Sequence, residues 1–325
     1  MPSEATFFCG PLEVTVEARS AILYEKILET VRLYDRVWGS HERHVAIHAR
    51  ERSASGSPAL GTFLRCARID VDVTESGLVA STIGGARARL VSSEGSERWD
   101  LDIPSELLTN GNLEDVEELV TLALTAGWRS AGWVPVHAAA VTDGNRCVMI
   151  CAPSGGGKST LTAAFVRRGW HAVGDDKVLL RTNGGVAQIA ALQRTFNLHP
   201  QTSTWFPEVG DLEVLPRYST WTHKRKVKIE SVWADPAADL AKPTHIFRVR
   251  RDAVPGPIAY TPMDSGAVLS TLLRQIAIPT ERATANAILG CAAPAARRMR
   301  GFDVVVGENA YERADAVDAL EAALG

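Results

Sequence analysis

A glycine-rich stretch in the middle of the chain carries the clearest chemical signal. Residues 152–160 read Ala-Pro-Ser-Gly-Gly-Gly-Lys-Ser-Thr, after the apolar run 148–150 and before a helical pattern. Glycines let a loop turn its N–H groups inward, and a lysine and a hydroxyl beside a helix N-terminus suit phosphate oxygens and Mg²⁺. This is the Walker A arrangement, with Ala152 in place of the usual first glycine. A glycine-rich turn without a ligand is the alternative, and the order strand, loop, Gly-Lys-Ser, helix argues against it.

The loop residues have separate expected tasks. Lys158 is predicted to neutralise charge on the β- and γ-phosphates, and Ser159 to offer its hydroxyl to Mg²⁺. The expected ligands are ATP and Mg²⁺. The residues predicted to bind the nucleotide are Ser154, Gly155, Gly156, Gly157, Lys158, Ser159 and Thr160.

Two adjacent acids, Asp175 and Asp176, follow the predicted strand 170–174. The carboxyl ends of strands form the edge where open α/β sheets bind ligands, and neighbouring strand residues point to opposite sides. One carboxylate can therefore reach Mg²⁺ while the other takes a proton from an attacking hydroxyl. We predict Asp175 as the base and Asp176 as the metal-associated acid, with the reverse assignment left open. A plain acidic turn is the structural alternative.

The distance in sequence between the loop and the acid pair separates classes of P-loop proteins. Lys158 and Asp175 are joined by one predicted helix and one predicted strand. Motor proteins, transporters and GTPases usually carry their Mg²⁺-associated acid much farther from the loop. The short spacing is typical of kinases.

His137 lies among small apolar residues in the predicted strand 134–142, just upstream of the loop. Taken alone, a histidine in such surroundings is more often a hydrogen-bonded core residue than a functional one. Its place ahead of the phosphate loop and the acid pair makes it a candidate catalytic residue.

The most basic stretch of the chain is residues 223–228, His-Lys-Arg-Lys-Val-Lys. It is either a solvated charged segment or a mobile one that closes on the transferred phosphoryl group. Alternation predicts Lys224, Lys226 and Lys228 on one side and Arg225 on the other. From this stretch we name Lys226 as a candidate catalytic residue.

Three segments in order resemble the core of the HPr kinase/phosphorylase family. They are Val-His-Ala-Ala-Ala-Val from residue 136, the loop 152–160, and Arg-Arg-Gly-Trp-His-Ala-Val-Gly-Asp-Asp from residue 167. The family shows a His-Ala-Ser-like strand, a Gly-x-Ser-Gly-x-Gly-Lys-Ser loop and an Arg-Gly-His-x-x-x-x-Asp-Asp segment. The resemblance covers about residues 134–180. It implies phosphate and Mg²⁺ contacts from Lys158 and Ser159, a proton acceptor in the acid pair, and His137 beside that pair.

The resemblance is incomplete beyond this core. The family's second signature, an Arg-Gly-x-Gly-type stretch with a nearby Glu, has no clear counterpart, and residues 192–200 stand at a similar distance. The chain is therefore more similar to diverged HPr-kinase-like proteins. Some of these phosphorylate serine on ribosomally made precursor peptides such as lasso peptides.

The elements that must position these residues predict an α/β fold class. We expect a P-loop, HPr-kinase-like C-terminal domain behind a β-rich α+β N-terminal domain. The expected domains are 1–110 (β-rich), 111–133 (a linking helix capped by Asn112) and 134–325 (the P-loop kinase domain). The predicted strands are 7–18, 44–49, 62–73, 78–83, 86–91, 134–142, 146–152, 170–174, 177–182, 186–192 and 302–306. The predicted helices are 21–35, 112–130, 161–168, 265–275, 280–290 and 314–324.

Bulk composition narrows the function classes. The 325 residues are 46% hydrophobic and 22% charged, as in a globular protein, and the net charge is −3. That balance argues against nucleic-acid and membrane binding as partners. Five cysteines without CxxC spacing predict reduced thiols. The sequence contains no run of about 18 apolar residues, so no membrane span is predicted. We expect a cytoplasmic protein, and a homo-oligomer is compatible with the sequence.

The function predicted first is an ATP- and Mg²⁺-dependent kinase that transfers the γ-phosphate to a hydroxyl. The expected acceptor is a serine of a peptide or protein, with a small molecule as the other option. One alternative is a nucleotidyl- or pyrophosphoryl-transferase on the same site. Another is a nucleotide-binding regulatory module with little turnover, which the presence of both aspartates argues against.

Overall fold

The computed structural model describes most of the chain and divides it into two compact units. One unit comprises Met1–Trp133 with Pro279–Ala285, and the other Val134–Ile278 with Asn286–Gly325. Helices and several sheets occur together, so the mixed α/β class is confirmed, while the expected domain bounds remain a prediction. The residues described are 3–34, 36–37, 41–52, 64–66, 69–74, 77–93, 96–109, 114–193, 195–217, 222–234, 237–277, 282–313 and 315–325.

The first unit is built on one large sheet. Its strands are β1 (Ser3–Gly10), β2 (Leu12–Ala18), β3 (Arg36–Val37), β4 (Arg43–Arg52), β5 (Leu64–Cys66), β6 (Ile69–Thr74), β7 (Gly77–Thr82), β8 (Arg87–Ser93) and β9 (Ser96–Pro104). Its helices are α1 (Ala21–Arg32), α2 (Ser105–Thr109) and α3 (Glu114–Ser130). Over the described residues the sheet order is β3-β1-β2-β4-β9-β8-β7-β6-β5, with β2, β4 and β9 parallel.

The first unit departs from the predicted elements in several places. The strand predicted over 7–18 is two antiparallel strands, because the chain reverses at Gly10 with φ 66°. β3, α2 and β9 were not predicted. Part of the strand predicted over 62–73 and the proposed cap Asn112 lie outside the described residues.

The second unit contains the phosphate-loop sequence. Its strands are β10 (Val134–Val136), β11 (Ala139–Thr142), β12 (Cys147–Cys151), β13 (His171–Gly174), β14 (Val178–Asn183), β15 (Val186–Ala191), β16 (Thr195–Leu198), β17 (Arg225–Lys228), β18 (Leu240–Ala241), β19 (His245–Arg251), β20 (Ile258–Met263) and β21 (Arg300–Val306). Its helices are α4 (Lys158–Arg167), α5 (Thr202–Trp205), α6 (Ser265–Leu273), α7 (Arg282–Arg298, whose first residues belong to the other unit) and α8 (Asp318–Ala323).

The described residues of this unit form three sheets of different size. Among the described residues the orders are β13-β11-β12-β19-β21-β20, β10-β14-β15-β18 and β16-β17. β12, β19 and β21 run parallel in the middle of the largest sheet. β11 is antiparallel to both β12 and β13, so β13 points the same way as β12. The carboxyl ends of β12, β13 and β19 therefore lie on one edge.

The central strand β12 is buried on both faces. Val148 and Ile150 join the apolar cluster that contains Leu161 and Phe165 of α4, while Met149 joins the cluster on the opposite face. A strand covered on both sides has a continuous apolar sequence, which is why this strand could be predicted from its residues. This burial fixes the start of the phosphate loop in the middle of the sheet.

Several predictions for the second unit need correction. The strand predicted over 134–142 breaks at 137–138, because β10 pairs with β14 and β11 pairs with β12 in another sheet. α4 begins at Lys158 rather than at residue 161, and α7 continues past Gly290 to Arg298. The short helix α5 and the strands β16 to β20 were not predicted. The last helix is shorter than predicted, since α8 begins at Asp318.

No helix within the described ranges is long and apolar enough to cross a membrane.

Candidate active site

The phosphate-loop residues form a tight turn between β12 and α4. Gly155 and Gly157 have φ values of 76° and 95°, a region that favours glycine. A Cβ added to Gly156 would lie 2.8 Å from the Cβ of Ala152. The loop therefore needs glycine at all three positions. Ser154 at its tip is exposed, and α4 begins directly after Gly157.

Lys158 lies at the first turn of α4 and points into the loop. Its side-chain nitrogen donates to the carbonyl oxygen of Ala152 at 3.0 Å and lies 3.1 Å from Nε2 of His137. The residue is 7% exposed, and burial lowers the pKa of its ammonium although Asp176 and Asp175 act in the opposite direction. A buried cation enclosed by a glycine turn favours an anion beside it.

Asp175 is buried against the loop. Its Oδ2 accepts hydrogen bonds from the Ser159 hydroxyl at 2.9 Å and from the Asn197 backbone N–H at 2.8 Å. Its Oδ1 is buried and has no hydrogen-bond partner among the described residues. Burial raises the pKa of Asp175 to about 6, although both hydrogen bonds act to lower it. The carboxylate is thus poised to exchange a proton near neutral pH.

Asp176 has the opposite electrostatic surroundings. Burial alone would raise its pKa, but the hydrogen bond and charge of His137, together with the charge of Lys158, lower the pKa to about 2. Nε2 of His137 lies 3.1 Å from Oδ1 of Asp176. Asp176 therefore remains an anion at every physiological pH.

His137 connects the lysine and the second aspartate. It lies in the break between β10 and β11, where its backbone N–H donates to the carbonyl oxygen of Gln275 at 2.8 Å. Its Nε2 can donate to Asp176 or accept from Lys158, one at a time. The predicted placement of His137 within a strand was wrong, and the break is what turns its side chain to the acid pair.

The structure brings the predicted residues together in two groups. Ser159 meets Asp175, and Lys158 and Asp176 meet His137. Sequence reasoning had paired Ser159 with Asp176 as the two metal-associated residues. The contact between Ser159 and Asp175 instead brings the expected base next to the expected metal ligand.

The basic segment lies near the acid pair because its strand pairs with the strand that contacts Asp175. β17 pairs with β16, and Lys226 is opposite Asn197, whose N–H binds Asp175. Arg225 is buried and forms an ion pair with Glu213, while Lys226 is half-buried, as the predicted alternation requires. The charge of Lys224 acts on both Asp175 and Lys158. A catalytic role for Lys226 remains a prediction, and Lys224 joins it as a candidate.

Arg251 is a residue of the site region that sequence reasoning missed. It ends β19, and its Cγ lies 3.6 Å from the position that a Cβ on Gly157 would take. The signal that could have found it is the apolar alternation of β19, with arginine at the carboxyl end of a strand next to the phosphate loop.

The oxygen atoms of the site fit a magnesium ion. Mg²⁺ in phosphate-transfer sites is held by one or two protein oxygens and by the substrate phosphates. The Ser159 hydroxyl provides one such oxygen, and the ionised carboxylate of Asp176 is the expected second ligand, which leaves the unpartnered Oδ1 of Asp175 available to accept a proton. The described residues contain no group of three or more His, Cys, Asp or Glu that could hold a metal without further ligands.

Comparisons with known proteins add little to the geometry. No family model and no curated protein matches the sequence. Among solved structures, the Hpr(Ser) kinase/phosphatase from Coxiella burnetii is similar over 58% of this chain and 97% of that chain, with 11% identity and a TM-score of 0.32. A TM-score this low supports no conclusion about fold or activity.

Proposed function

We propose that the chain is an ATP- and Mg²⁺-dependent phosphotransferase that moves the γ-phosphate to a hydroxyl group. One observation carries the proposal. A glycine loop, a buried lysine and two aspartates, whose pKa values are shifted in opposite directions, converge on one edge of the sheet. The loop and lysine suit a polyphosphate, and the aspartates suit proton acceptance next to an anion.

In the proposed reaction, the acceptor oxygen bonds to the γ-phosphorus while the bond from that phosphorus to the β–γ bridging oxygen breaks. The acceptor proton passes to Asp175, whose free Oδ1 and pKa of about 6 suit a base at neutral pH. ADP and the phosphorylated acceptor are the products. Lys158 stabilises the charge that develops on the phosphate oxygens. Ser159 and Asp176 would hold Mg²⁺, which would neutralise charge on the polyphosphate when bound.

The proposed acceptor is a serine hydroxyl of a peptide or protein, or else a hydroxyl of a small molecule. The resemblance to diverged HPr-kinase-like proteins favours the peptide.

The nucleotide product tests the reaction class. Purified protein is incubated with Mg-ATP, with and without a pool of serine-containing peptides, and the nucleotides are separated. ADP together with an added phosphate on a peptide supports the proposal. AMP release supports a nucleotidyl- or pyrophosphoryl-transferase instead, and tight ATP binding without any turnover supports a regulatory module.

Two substitutions test the site. Lys158→Ala should abolish Mg-ATP binding, because it removes the cation in the loop, whereas Lys228→Ala at an exposed lysine of β17 should leave binding intact. Asp175→Asn should retain Mg-ATP binding and lose roughly 10²–10⁴-fold in transfer rate. Normal phosphoryl transfer by Lys158→Ala would refute the assignment of the loop.

A further inference from the structure

Arg251 lies next to the phosphate loop, on the face of the sheet that α4 covers. It alternates along β19 with Phe247 and Val249, which are buried in the α4-side cluster. Its Cγ and Cδ lie 3.6 and 3.8 Å from the position of a Cβ on Gly157. Arg250, the preceding residue, is exposed and points to the opposite face of the strand.

An aromatic pair stands beside the Arg251 guanidinium. The guanidinium carbon lies 6.0 Å from the ring centroid of Trp205, and Trp205 lies 5.6 Å from the ring of Tyr311. Trp205 is half-buried at the end of α5, so part of its surface is open to solvent. The Tyr311 hydroxyl is buried and has no partner among the described residues. A planar cation and an accessible indole next to a phosphate loop are the groups on which a nucleobase stacks.

The strand order sets the direction of the triphosphate. The acid pair follows β13, on one side of β12, while β19 lies on the other side. The transferred phosphate is the terminal one, so the proposed base marks that end of the phosphate chain. The nucleoside must then leave the loop on the side of β19, where Arg251 and Trp205 lie.

We propose that the nucleoside half of ATP binds over the carboxyl end of β19, with the base stacked on the Arg251 guanidinium beside Trp205. This inference rests on the proposed function, since it requires the triphosphate in the loop. Stacking accepts any base face, so the site is expected to bind nucleotides without strong preference among the bases.

Calorimetric titration separates the nucleoside contact from the phosphate contact. Mg-ATP, Mg-ADP and Mg-pyrophosphate are titrated into wild type, Arg251→Ala and the matched control Arg250→Ala. We expect Arg251→Ala to bind ATP and ADP roughly tenfold more weakly than wild type and pyrophosphate equally well. Arg250→Ala should match wild type for all three ligands.

Two outcomes would overturn the inference while leaving the proposed function standing. One is an equal loss of pyrophosphate and ATP affinity in Arg251→Ala, which would make Arg251 a phosphate ligand. The other is unchanged ATP affinity. A wild-type protein that binds neither pyrophosphate nor ATP would overturn the proposed function itself.

A second variant guards against loss of folding. Arg251→Lys keeps the charge and the aliphatic stem but removes the planar group, so it should weaken ATP and spare pyrophosphate in the same way. ATP affinity equal to wild type in Arg251→Lys would count against stacking.

Discussion

The pKa values of the two neighbouring aspartates in the site are shifted in opposite directions, because the groups around them differ. Asp175 is enclosed by the loop and by the Asn197 backbone, and burial dominates its pKa, which is about 6. Asp176 faces His137 and Lys158, whose hydrogen bond and charges outweigh burial and give a pKa of about 2. Pairs of carboxyl groups separated in this way divide the roles of base and permanent anion.

These pKa shifts predict stability changes of opposite sign for the two amide variants. The pKa of Asp175 is raised by folding, so its contribution is favourable below the unfolded pKa and is lost as pH rises through about 6. The pKa of Asp176 is lowered, so its contribution is present above the unfolded pKa and is lost as pH falls towards 2. At pH 7.5, we expect Asp175→Asn to stabilise the protein by about 1–3 kcal/mol and Asp176→Asn to destabilise it by about 1–2 kcal/mol.

Urea unfolding at several pH values measures both effects. The increase in the free energy of unfolding caused by Asp175→Asn should shrink as pH is lowered from 7.5 to about 4, because the wild-type Asp175 carboxyl is then protonated and uncharged like the amide. The loss in Asp176→Asn should persist over the same range. A gain from Asp175→Asn that stays constant down to that pH, or shifts of the same sign in both variants, would contradict the electrostatic description.

At the level of elements, the basic segment before and within β17 affects the pKa of Asp175 in the acid pair. Lys224 precedes the strand and its positive charge lowers the pKa of Asp175, while Lys226 lies two residues further along. Removing the Lys224 charge should therefore raise the pKa of Asp175 above its present value of about 6. The proposed base then needs a higher pH to ionise.

The expected result is a shift of the acid limb in the pH profile of kcat/KM. In wild type the rate should fall as pH drops through about 6, and in Lys224→Ala the same fall should occur at higher pH. Lys226→Ala serves as the matched control on the same segment, and its acid limb should move less. Thermal midpoints of both variants check that the fold is retained. An acid limb unchanged in Lys224→Ala would exclude its action on Asp175.

Local sequence predicted the elements that carry the chemistry, and long-range pairing decided the rest. The glycine loop and the acid pair depend on adjacent residues, so their placement after β12 and β13 could be predicted. The break at His137 could not, because residues 134–142 read as one apolar strand and only pairing with different sheets divides them. β19 was missed because three of its seven residues are arginines, so that its apolar residues Ile246, Phe247 and Val249 form only a short pattern, and Arg251 was missed with it.

At the scale of the whole molecule, every residue proposed for the site belongs to the second unit. These residues extend from His137 to Arg251 in sequence and come together at one edge of the largest sheet. A ligand bound there should suppress local opening in segments far apart in the chain, because each contributes contacts to the same site. Hydrogen exchange measures such local opening residue by residue.

We expect Mg-ATP to slow amide exchange at short labelling times in three segments of the chain. The loop 152–160 should gain most, because its inward N–H groups become donors to phosphate oxygens. Residues 174–177 and 195–198 should follow, since Asp175 ties them together through Ser159 and the Asn197 N–H. The strand β15, in the four-stranded sheet, is the internal reference and should change only at long times, when global opening dominates.

Lys158→Ala should show no protection in any of the three segments. Equal protection in that variant, or a uniform change across the whole chain at short times, would place the nucleotide elsewhere.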